Sequence, residues 1–162
     1  MGELRRELSF GDSYVVANFN QQRYLLSLLL DDKRHGDRAT LIYRGSKDGW
    51  GYADFHRCCD NKGATVTLFK TDKGRRFGGF SSVSWDKSKA FKQDTKSFLF
   101  SLDLELYFPI ADPSKSIACS SNLGHAFGIS GADLSAFDAP FNNPNNCHSE
   151  AHQSAFMVAA DL

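Results

Sequence analysis

The four cysteines of this sequence, Cys58, Cys59, Cys119 and Cys147, are the side chains best suited to nucleophilic or redox chemistry. A thiol attacks peroxide only as the thiolate, which a nearby cation or a helix N-terminus must stabilise by lowering the pKa. Cys58 and Cys59 instead fall near the C-terminus of a predicted helix, where the helix dipole raises the pKa of a thiol. We therefore expect reduced thiols, and we keep a thiol-dependent antioxidant enzyme as an alternative function.

Two groupings of histidine with cysteine are candidates for a metal site. His148 and His152 are four residues apart beside Cys147, a spacing that would place both imidazoles on one face of a helix. The zinc-protease pattern needs Glu directly after the first His, which this sequence lacks, and the neighbouring Asn and Pro residues oppose a helix. His56, which lies close to two cysteines, is better explained by helix packing. We expect neither a metal nor a cofactor.

The segment from Lys73 to Phe80 combines basic residues, glycines and phenylalanines, as RNA-binding strands do. Its aromatic spacing does not match the RNA-recognition pattern, and its positive charge is confined to one predicted turn. The chain carries 19 basic and 19 acidic side chains, so it lacks the basic excess that nucleic-acid binding normally requires. Gly45 and Gly49 also lack the Lys-Ser/Thr pair of a phosphate-binding loop. We expect no nucleic-acid partner.

Neither a membrane span nor a signal peptide is predicted. The longest apolar run, from Tyr24 to Leu30, includes Ser27 and is too short to cross a bilayer. The charged N-terminus, from Met1 to Phe10, has no apolar stretch of the kind found in signal peptides. We therefore expect no membrane insertion and an intracellular, cytoplasmic protein.

Two helices are predicted in the N-terminal part of the chain, ahead of the strands. The 162 residues suit one domain, and 41% of them are apolar, which allows a substantial core. Residues 1–17 form an N-terminal segment with no predicted element. A helix is predicted from Asn18, whose side chain caps it together with Gln21. A second helix follows Asp48, its predicted cap, and ends at Gly63, which suits a left-handed turn.

From Thr65 onward the apolar pattern changes to strict alternation, which is typical of strands. Thr65 to Phe69 and Arg76 to Ser82 form a predicted hairpin, and Ser97 to Leu102 is the clearest buried strand. The lysine-rich stretch from Asp86 to Gln93 is predicted to be an exposed loop. Short strands are also expected at Leu106 to Phe108, Ser116 to Cys119, Ala126 to Gly128 and Asp133 to Phe137. The pattern predicts an α+β, mainly β, fold, in which a β-sandwich is flanked by a few short helices.

Four blocks of the chain form a combination that is specific, although each block alone is weak. Leu41 to Trp50 reads LIYRGSKDGW, and Ala53 to Gly63 contains ADFH followed by CDNKG. Phe77 to Trp85 reads FGGFSSVSW, and Ser97 to Leu102 reads SFLFSL. The arrangement, which extends to about Phe137, resembles the TLDc domain family, whose corresponding blocks read LLYRxSRDGF, KDFHxxCDxKG, FGGYTSxxW and AFLFSL.

The resemblance implies both a fold and a function. The fold would be an antiparallel β-sandwich of two sheets, with residues 18–162 as the TLDc domain. The function would be that of a non-catalytic protein-interaction module, linked to oxidative-stress protection, which binds the vacuolar proton-pumping ATPase and regulates its assembly. We expect a monomer whose partners are subunits of that ATPase. A further alternative is an adaptor fragment of a larger signalling protein.

The C-terminus departs from the family pattern. Family members end in a strand that reads EIEVF or close to it, whereas this chain ends at Phe156 to Leu162 with FMVAADL. The last strand of the domain is therefore expected to be either missing or replaced. A missing strand would leave an unpaired edge in the sandwich.

Glycines mark most of the residues that we predict to contact a partner. Gly49 and Gly51 flank Trp50, and Gly78 and Gly79 lie inside a strand, where glycine normally lowers stability. Bare backbone at such positions either exposes a surface for a partner or accommodates an aromatic ring of the same protein. The predicted partner-binding residues are Gly45, Ser46, Asp48, Gly49, Trp50, Gly51, Gly78, Gly79, Gly128 and Gly131.

Overall fold

Alternating side chains build the strands of two antiparallel β-sheets in the computed structural model of the chain. The structure describes residues 10, 13–30, 38–71, 73–122, 124, 126–128, 134–135 and 152–159. The helices are α1 (Phe19–Leu30), α2 (Gly45–Asp48), α3 (Tyr52–Cys59) and a 3-10 helix (Pro113–Lys115). The strands are β1 (Arg38–Arg44), β2 (Thr65–Lys70), β3 (Arg76–Ser81), β4 (Ala90–Lys92), β5 (Phe98–Ser101), β6 (Leu106–Pro109), β7 (Ile117–Cys119), β8 (Ala126–Phe127), β9 (Leu134–Ser135) and β10 (His152–Ala159).

The larger sheet has the strand order β1-β10-β2-β3-β5-β6, and the smaller sheet has the order β4-β7-β8-β9. The predicted hairpin is β2 and β3, which pair with Leu68 opposite Gly78 and Thr67 opposite Gly79. Because side chains alternate along a strand, these two pairs face opposite sides of the sheet. The predicted fold of two antiparallel sheets with a few short helices is confirmed.

Helix α1 covers one face of the larger sheet and forms the first hydrophobic core with it. Leu25 and Leu29 of the helix are fully buried, as are Leu68 and Phe100 of the strands. Leu25 and Leu29 recur at helical spacing, so α1 buries one apolar face. In β2, by contrast, Thr65 to Phe69 are all buried, so both faces of this strand are covered.

The predicted cap of α1 is present in a modified form. Asn18 Oδ1 accepts a hydrogen bond from the backbone N–H of Gln21 at 3.0 Å, as expected of a capping residue. The side chain of Gln21 reaches one residue further back than a standard capping box, and its Oε1 accepts from the N–H of Ala17 at 2.9 Å. The two bonds fix the direction in which the chain enters the helix.

A second core joins the larger sheet, helix α3 and the smaller sheet. Its centre is a chain of aromatic rings in edge-to-face contact, with centroid distances of 5.9 Å for Tyr43–Phe55, 5.7 Å for Phe55–Trp85 and 5.3 Å for Trp85–Phe127. The indole N–H of Trp85 donates to Thr65 Oγ1 at 2.8 Å, so its polar group is satisfied although the ring is buried. Residues from four different elements therefore meet in one cluster.

One sequence-based expectation about strands differs from the structure. The stretch from Asp86 to Gln93 is not wholly a loop, because Ala90–Lys92 pairs with β7 as strand β4. Near the C-terminus, His152–Ala159 form a strand although the EIEVF pattern is absent from these residues. This strand, β10, pairs with both β1 and β2, so no unpaired edge lies between those two.

Among the described residues, none of the helices has the length and apolar character that crossing a bilayer requires.

Candidate functional site

The chain from Gly45 to Gly51, called the 45–51 loop below, connects β1 to α3 and includes the single turn of α2. The carboxylate of Asp48 accepts a hydrogen bond from the backbone N–H of Arg44 at 2.8 Å, which ties the turn back to the strand. The N–H of Gly49 donates to the carbonyl of Gly45 at 3.1 Å and closes the turn. The prediction that Asp48 caps α3 is wrong, because its carboxylate is used here and Gly51 precedes that helix.

Trp50 folds back over Gly45 and explains why that position is glycine. A Cβ atom at Gly45 would lie 2.5 Å from two carbons of the indole ring, closer than real Cβ contacts come. Gly45 is buried under the ring, whereas Trp50 itself is half-buried. The packing of Trp50 on Gly45 helps to fix the shape of the 45–51 loop.

Gly49 is held from three sides. Its φ of 108° is a conformation that side chains rarely allow, and the carboxylate of Asp54 lies directly against its Cα. Its carbonyl accepts a hydrogen bond from the Tyr43 hydroxyl at 2.8 Å. Burial raises the pKa of Tyr43 far above its ordinary value, so the hydroxyl stays protonated and keeps donating. From the outside, Arg57 donates to the carbonyl of Asp48 at 2.9 Å.

The outer side of the 45–51 loop is formed by Ser46 and Lys47, which are exposed. Asp48, Gly49 and Gly51 are half-buried and complete its surface. The loop therefore presents polar groups and bare backbone on a frame that its neighbours fix.

Gly78 and Gly79 lie inside the protein. A Cβ at Gly78 would collide first with the backbone carbonyl oxygen of Thr67 and would lie 2.6 Å from Phe100 Cζ. A Cβ at Gly79 would meet Phe127 Cζ at 2.7 Å and Leu99 Cδ2 at 2.9 Å. Both glycines are buried. Of the two interpretations of these glycines, accommodation of an aromatic ring describes the geometry on both faces of β3. We therefore leave Gly78 and Gly79 out of the surface proposed below.

The remaining predicted glycines follow β8. Gly128 is buried with a φ of 86°, and its N–H donates to the carbonyl of Ser116 at 3.0 Å. Gly131 lies outside the described residues. The 45–51 loop follows β1, which β10 and β2 separate from β3 in the sheet, so the predicted residues that the structure describes do not form one continuous patch.

Comparison with known proteins identifies the family. A sequence profile of the TLDc domain matches residues 15–157, which include the 45–51 loop and β10. The chain belongs to the TLDc domain family. The resemblance noted in the sequence is thereby confirmed over most of the length of the chain.

Two curated relatives of this TLDc domain carry the same name, MTOR-associated protein MEAK7. The protein from Danio rerio is 39% identical over 75 residues, which is 46% of this chain and 14% of the relative. The protein from Gallus gallus is 33% identical over 79 residues, which is 49% of this chain and 16% of the relative. The match thus covers about half of this chain and a small part of each relative.

The thiols of the TLDc domain are poorly suited to nucleophilic attack. Cys58, Cys59 and Cys119 are free thiols, and burial raises the pKa of each of them. The effect is largest for Cys59, which is fully buried in the second core. For Cys58 and Cys59, removal from water is the main cause of the raised pKa, rather than the helix dipole that the sequence suggested. Cys147 lies outside the described residues.

A buried histidine cross-link was not found by sequence reasoning. His56 of α3 places Nδ1 2.6 Å from Asp60 Oδ1 and Nε2 2.8 Å from the carbonyl oxygen of Ser120, which follows β7. Only 1% of its side chain is exposed. Because both ring nitrogens are engaged and no solvent reaches them, His56 fastens α3 to the smaller sheet. The spacing of His56 and Asp60, four residues apart, was the available signal.

Asp94 is a second buried group that the sequence analysis missed. Its Oδ2 accepts from the backbone N–H of Ser82 at 2.7 Å and from the hydroxyl of Ser97 at 2.7 Å. Its Oδ1 accepts from the hydroxyl of Ser82 at 2.7 Å and from the N–H of Lys96 at 2.9 Å. Burial alone would raise the pKa of Asp94, but these hydrogen bonds outweigh it and hold the pKa below its ordinary value. The ionised carboxylate joins the chain after β3 to the start of β5.

The candidate metal ligands do not converge in the described ranges. No three His, Cys, Asp or Glu side chains there gather closely enough to hold a metal ion. His152 begins strand β10 rather than a helix, and Cys147 and His148 lie outside the described residues. His56 is bonded to Asp60 and Ser120, as described above.

Proposed function

We propose that the chain is a non-catalytic protein-interaction module that contacts its partner through the 45–51 loop. The observation that carries the proposal is the fixed shape of this loop, which Asp48, Trp50 and Tyr43 hold from the inside. Its outer residues, Ser46 and Lys47, take no part in that framework and are exposed to a partner.

A loop of fixed shape favours binding for an energetic reason. Association costs the free energy of ordering each segment that becomes immobile at the interface. A loop that already has its bound conformation avoids most of that cost, so its contacts contribute fully to affinity. The hydrogen bonds at Arg44 and Gly49 supply this order in the free protein.

Membership of the TLDc family supports subunits of the vacuolar proton-pumping ATPase as the partner, in the context of oxidative-stress protection. The module would change the assembly of the ATPase by binding its assembled and separated states with different affinities, since only a difference in affinity shifts an equilibrium. The name of the two relatives supports a second candidate partner, a complex that contains MTOR.

The alternative of a thiol-dependent antioxidant enzyme is less well supported. Peroxide reduction needs a thiolate, and burial raises the pKa of Cys58, Cys59 and Cys119. An adaptor fragment of a larger signalling protein is compatible with the proposal, because the chain matches only 14% and 16% of its relatives. In that case the 45–51 loop would still be the contact surface.

Affinity capture from cell lysate with three forms of the purified chain tests the proposal. The wild type and the control Arg75→Glu, which changes an exposed residue on the β2–β3 turn, are expected to recover peripheral ATPase subunits. Ser46→Arg/Lys47→Glu is expected to lose them while it unfolds at the same temperature as the wild type. Recovery of MTOR instead would favour the second partner. Equal recovery by the loop variant and the wild type would show that the 45–51 loop is not the surface.

A further inference from the structure

The edge of the smaller sheet carries a surface cavity that the proposed function does not use. The cavity has a volume of about 490 Å³ and is lined by residues 89–91 of the β4 region and residues 118–122 at the end of β7. Strand β4 is the edge strand on this side and pairs with β7. We call this feature the lysine-rich cavity, because Lys89 lines it and Lys115 lies beside Phe91 of its wall.

An aromatic side chain forms one wall of the lysine-rich cavity. The side chain of Phe91 is 48% exposed, although a phenylalanine on a strand is normally covered by other residues. The ammonium group of Lys115 lies 6.0 Å from the centre of the Phe91 ring. The wall therefore offers an apolar surface beside a positive charge.

The charge around the lysine-rich cavity is unbalanced. Lys89 and Lys115 are exposed, and no ion pair to either of them is formed among the described residues. The carboxylate of Asp112 interacts electrostatically with Lys115, and its Oδ1 accepts two hydrogen bonds from Ser114. Since the whole chain has zero net charge, this excess of cations is a local feature.

Another lysine of the same region, Lys92, forms an ion pair within the protein. Lys92 lies 2.6 Å from Asp86 Oδ2 and donates to the carbonyl of Ser84 at 2.5 Å. It is therefore neutralised within the protein. Lys89 differs, because it lines the cavity and has a φ of 57°, a backbone conformation that non-glycine residues rarely adopt.

We propose that the lysine-rich cavity binds an acidic segment of a partner protein. An apolar side chain of that segment would pack on Phe91, and its carboxylates would lie near Lys89 and Lys115. The inference rests on the proposed function as a protein-binding module and adds a second contact surface to it. Nucleic acid fits less well, because a single ring and two lysines make a small footprint on a chain of zero net charge.

Fluorescence anisotropy with a labelled acidic peptide of sequence EEDLFDE tests the inference, and the basic peptide KKKLFKK is the matched control probe. The wild-type chain is expected to bind EEDLFDE, more weakly at about 200 mM than at about 50 mM salt, and not to bind KKKLFKK. Lys89→Glu/Lys115→Glu is expected to weaken binding at least tenfold. The control Lys62→Glu/Arg75→Glu makes the same change of charge on exposed residues elsewhere and is expected to bind like the wild type.

Other outcomes would overturn the inference. Equal affinity of the two double variants would show that only net charge matters, and absence of binding by the wild type would remove the site. Tighter binding of a labelled oligothymidine or of phosphatidylserine vesicles, lost in Lys89→Glu/Lys115→Glu, would assign the cavity to another class of ligand. Ser46→Arg/Lys47→Glu is expected to bind the peptide normally, so failure of the 45–51 loop proposal and failure of this one can be told apart.

Discussion

Replacing Asp94 with asparagine gives the sharpest test of how the chain after β3 is held to the start of β5. Each carboxylate oxygen faces one backbone N–H, that of Ser82 for Oδ2 and that of Lys96 for Oδ1. A hydroxyl can rotate to adapt to a new neighbour, but a backbone N–H cannot. In Asp94→Asn the amide NH₂ must therefore oppose a backbone donor, whichever way the amide is turned.

The size of the effect follows from burial and hydrogen bonding. Asp94 is only 4% exposed, so water cannot replace a lost acceptor. A hydrogen bond to a charged group contributes about 1.5–3 kcal/mol, and a buried donor left unpaired costs about 1–3 kcal/mol. We expect Asp94→Asn to lower the free energy of unfolding by about 3 kcal/mol. At about 2–4 °C per kcal/mol for a domain of this size, the melting temperature should fall by about 6–12 °C.

Urea unfolding and differential scanning calorimetry measure this change, with Asp112→Asn as the matched control. Asp112 accepts two hydrogen bonds from Ser114 in an exposed turn, where water can replace them. The control is expected to lower the melting temperature by less than about 2 °C, in line with surface substitutions of less than about 0.5 kcal/mol. A loss for Asp94→Asn as small as that of Asp112→Asn would refute the account of the Asp94 cluster.

The same variant has a characteristic pH dependence. The pKa of Asp94 is lowered in the folded protein, so its contribution to stability is present above the ordinary aspartate pKa of about 4. It is lost as the pH falls through the native pKa, because the unfolded chain takes up the proton first. Wild type should therefore lose more stability than Asp94→Asn on acidification below about pH 4. Equal losses in both proteins would contradict the assignment of an ionised carboxylate.

Three further predictions concern glycine packing, the 45–51 loop and the thiols. Gly79→Ala places a Cβ against Phe127 and should destabilise the protein by about 1–3 kcal/mol in urea unfolding; an unchanged midpoint would contradict the close packing. Gly49→Ala forces a side chain into a φ of 108° and against Asp54, so it should reduce partner capture and cost about 1–3 kcal/mol; undiminished capture would count against the loop. Cys59 should react with a thiol reagent at least tenfold more slowly in the folded protein than in urea. Fast labelling of the folded protein, or measurable peroxide consumption, would instead support the alternative of a thiol-dependent antioxidant enzyme.

Local signals were enough to predict several elements correctly. The cap at Asn18 and the strand at Thr65 to Phe69 were predicted from residues a few positions apart, and both appear in the structure. The family blocks also allowed the TLDc fold to be predicted, because each block is short and corresponds to one strand, loop or helix. In such segments the sequence contains both partners of the interactions that matter.

The candidate site was harder to predict because its decisive contacts are distant in sequence. Gly79 is covered by Phe127, and His56 is bonded to Ser120, partners that a local pattern does not reveal. The carboxylate of Asp48 could accept a hydrogen bond either from the N-terminus of α3 or from the backbone N–H of Arg44. In the structure it accepts the bond from Arg44. Strand β10 occupies an inner position of the larger sheet although its sequence differs from the family pattern.

Biolayer interferometry tests most directly whether the 45–51 loop is a protein-binding surface. The measurement is the affinity of the purified chain for the purified peripheral sector of the ATPase. The wild type should bind, and Ser46→Arg/Lys47→Glu, with its melting temperature unchanged, should bind at least tenfold more weakly. The same affinity for both proteins, or no binding by the folded wild type, would contradict the account.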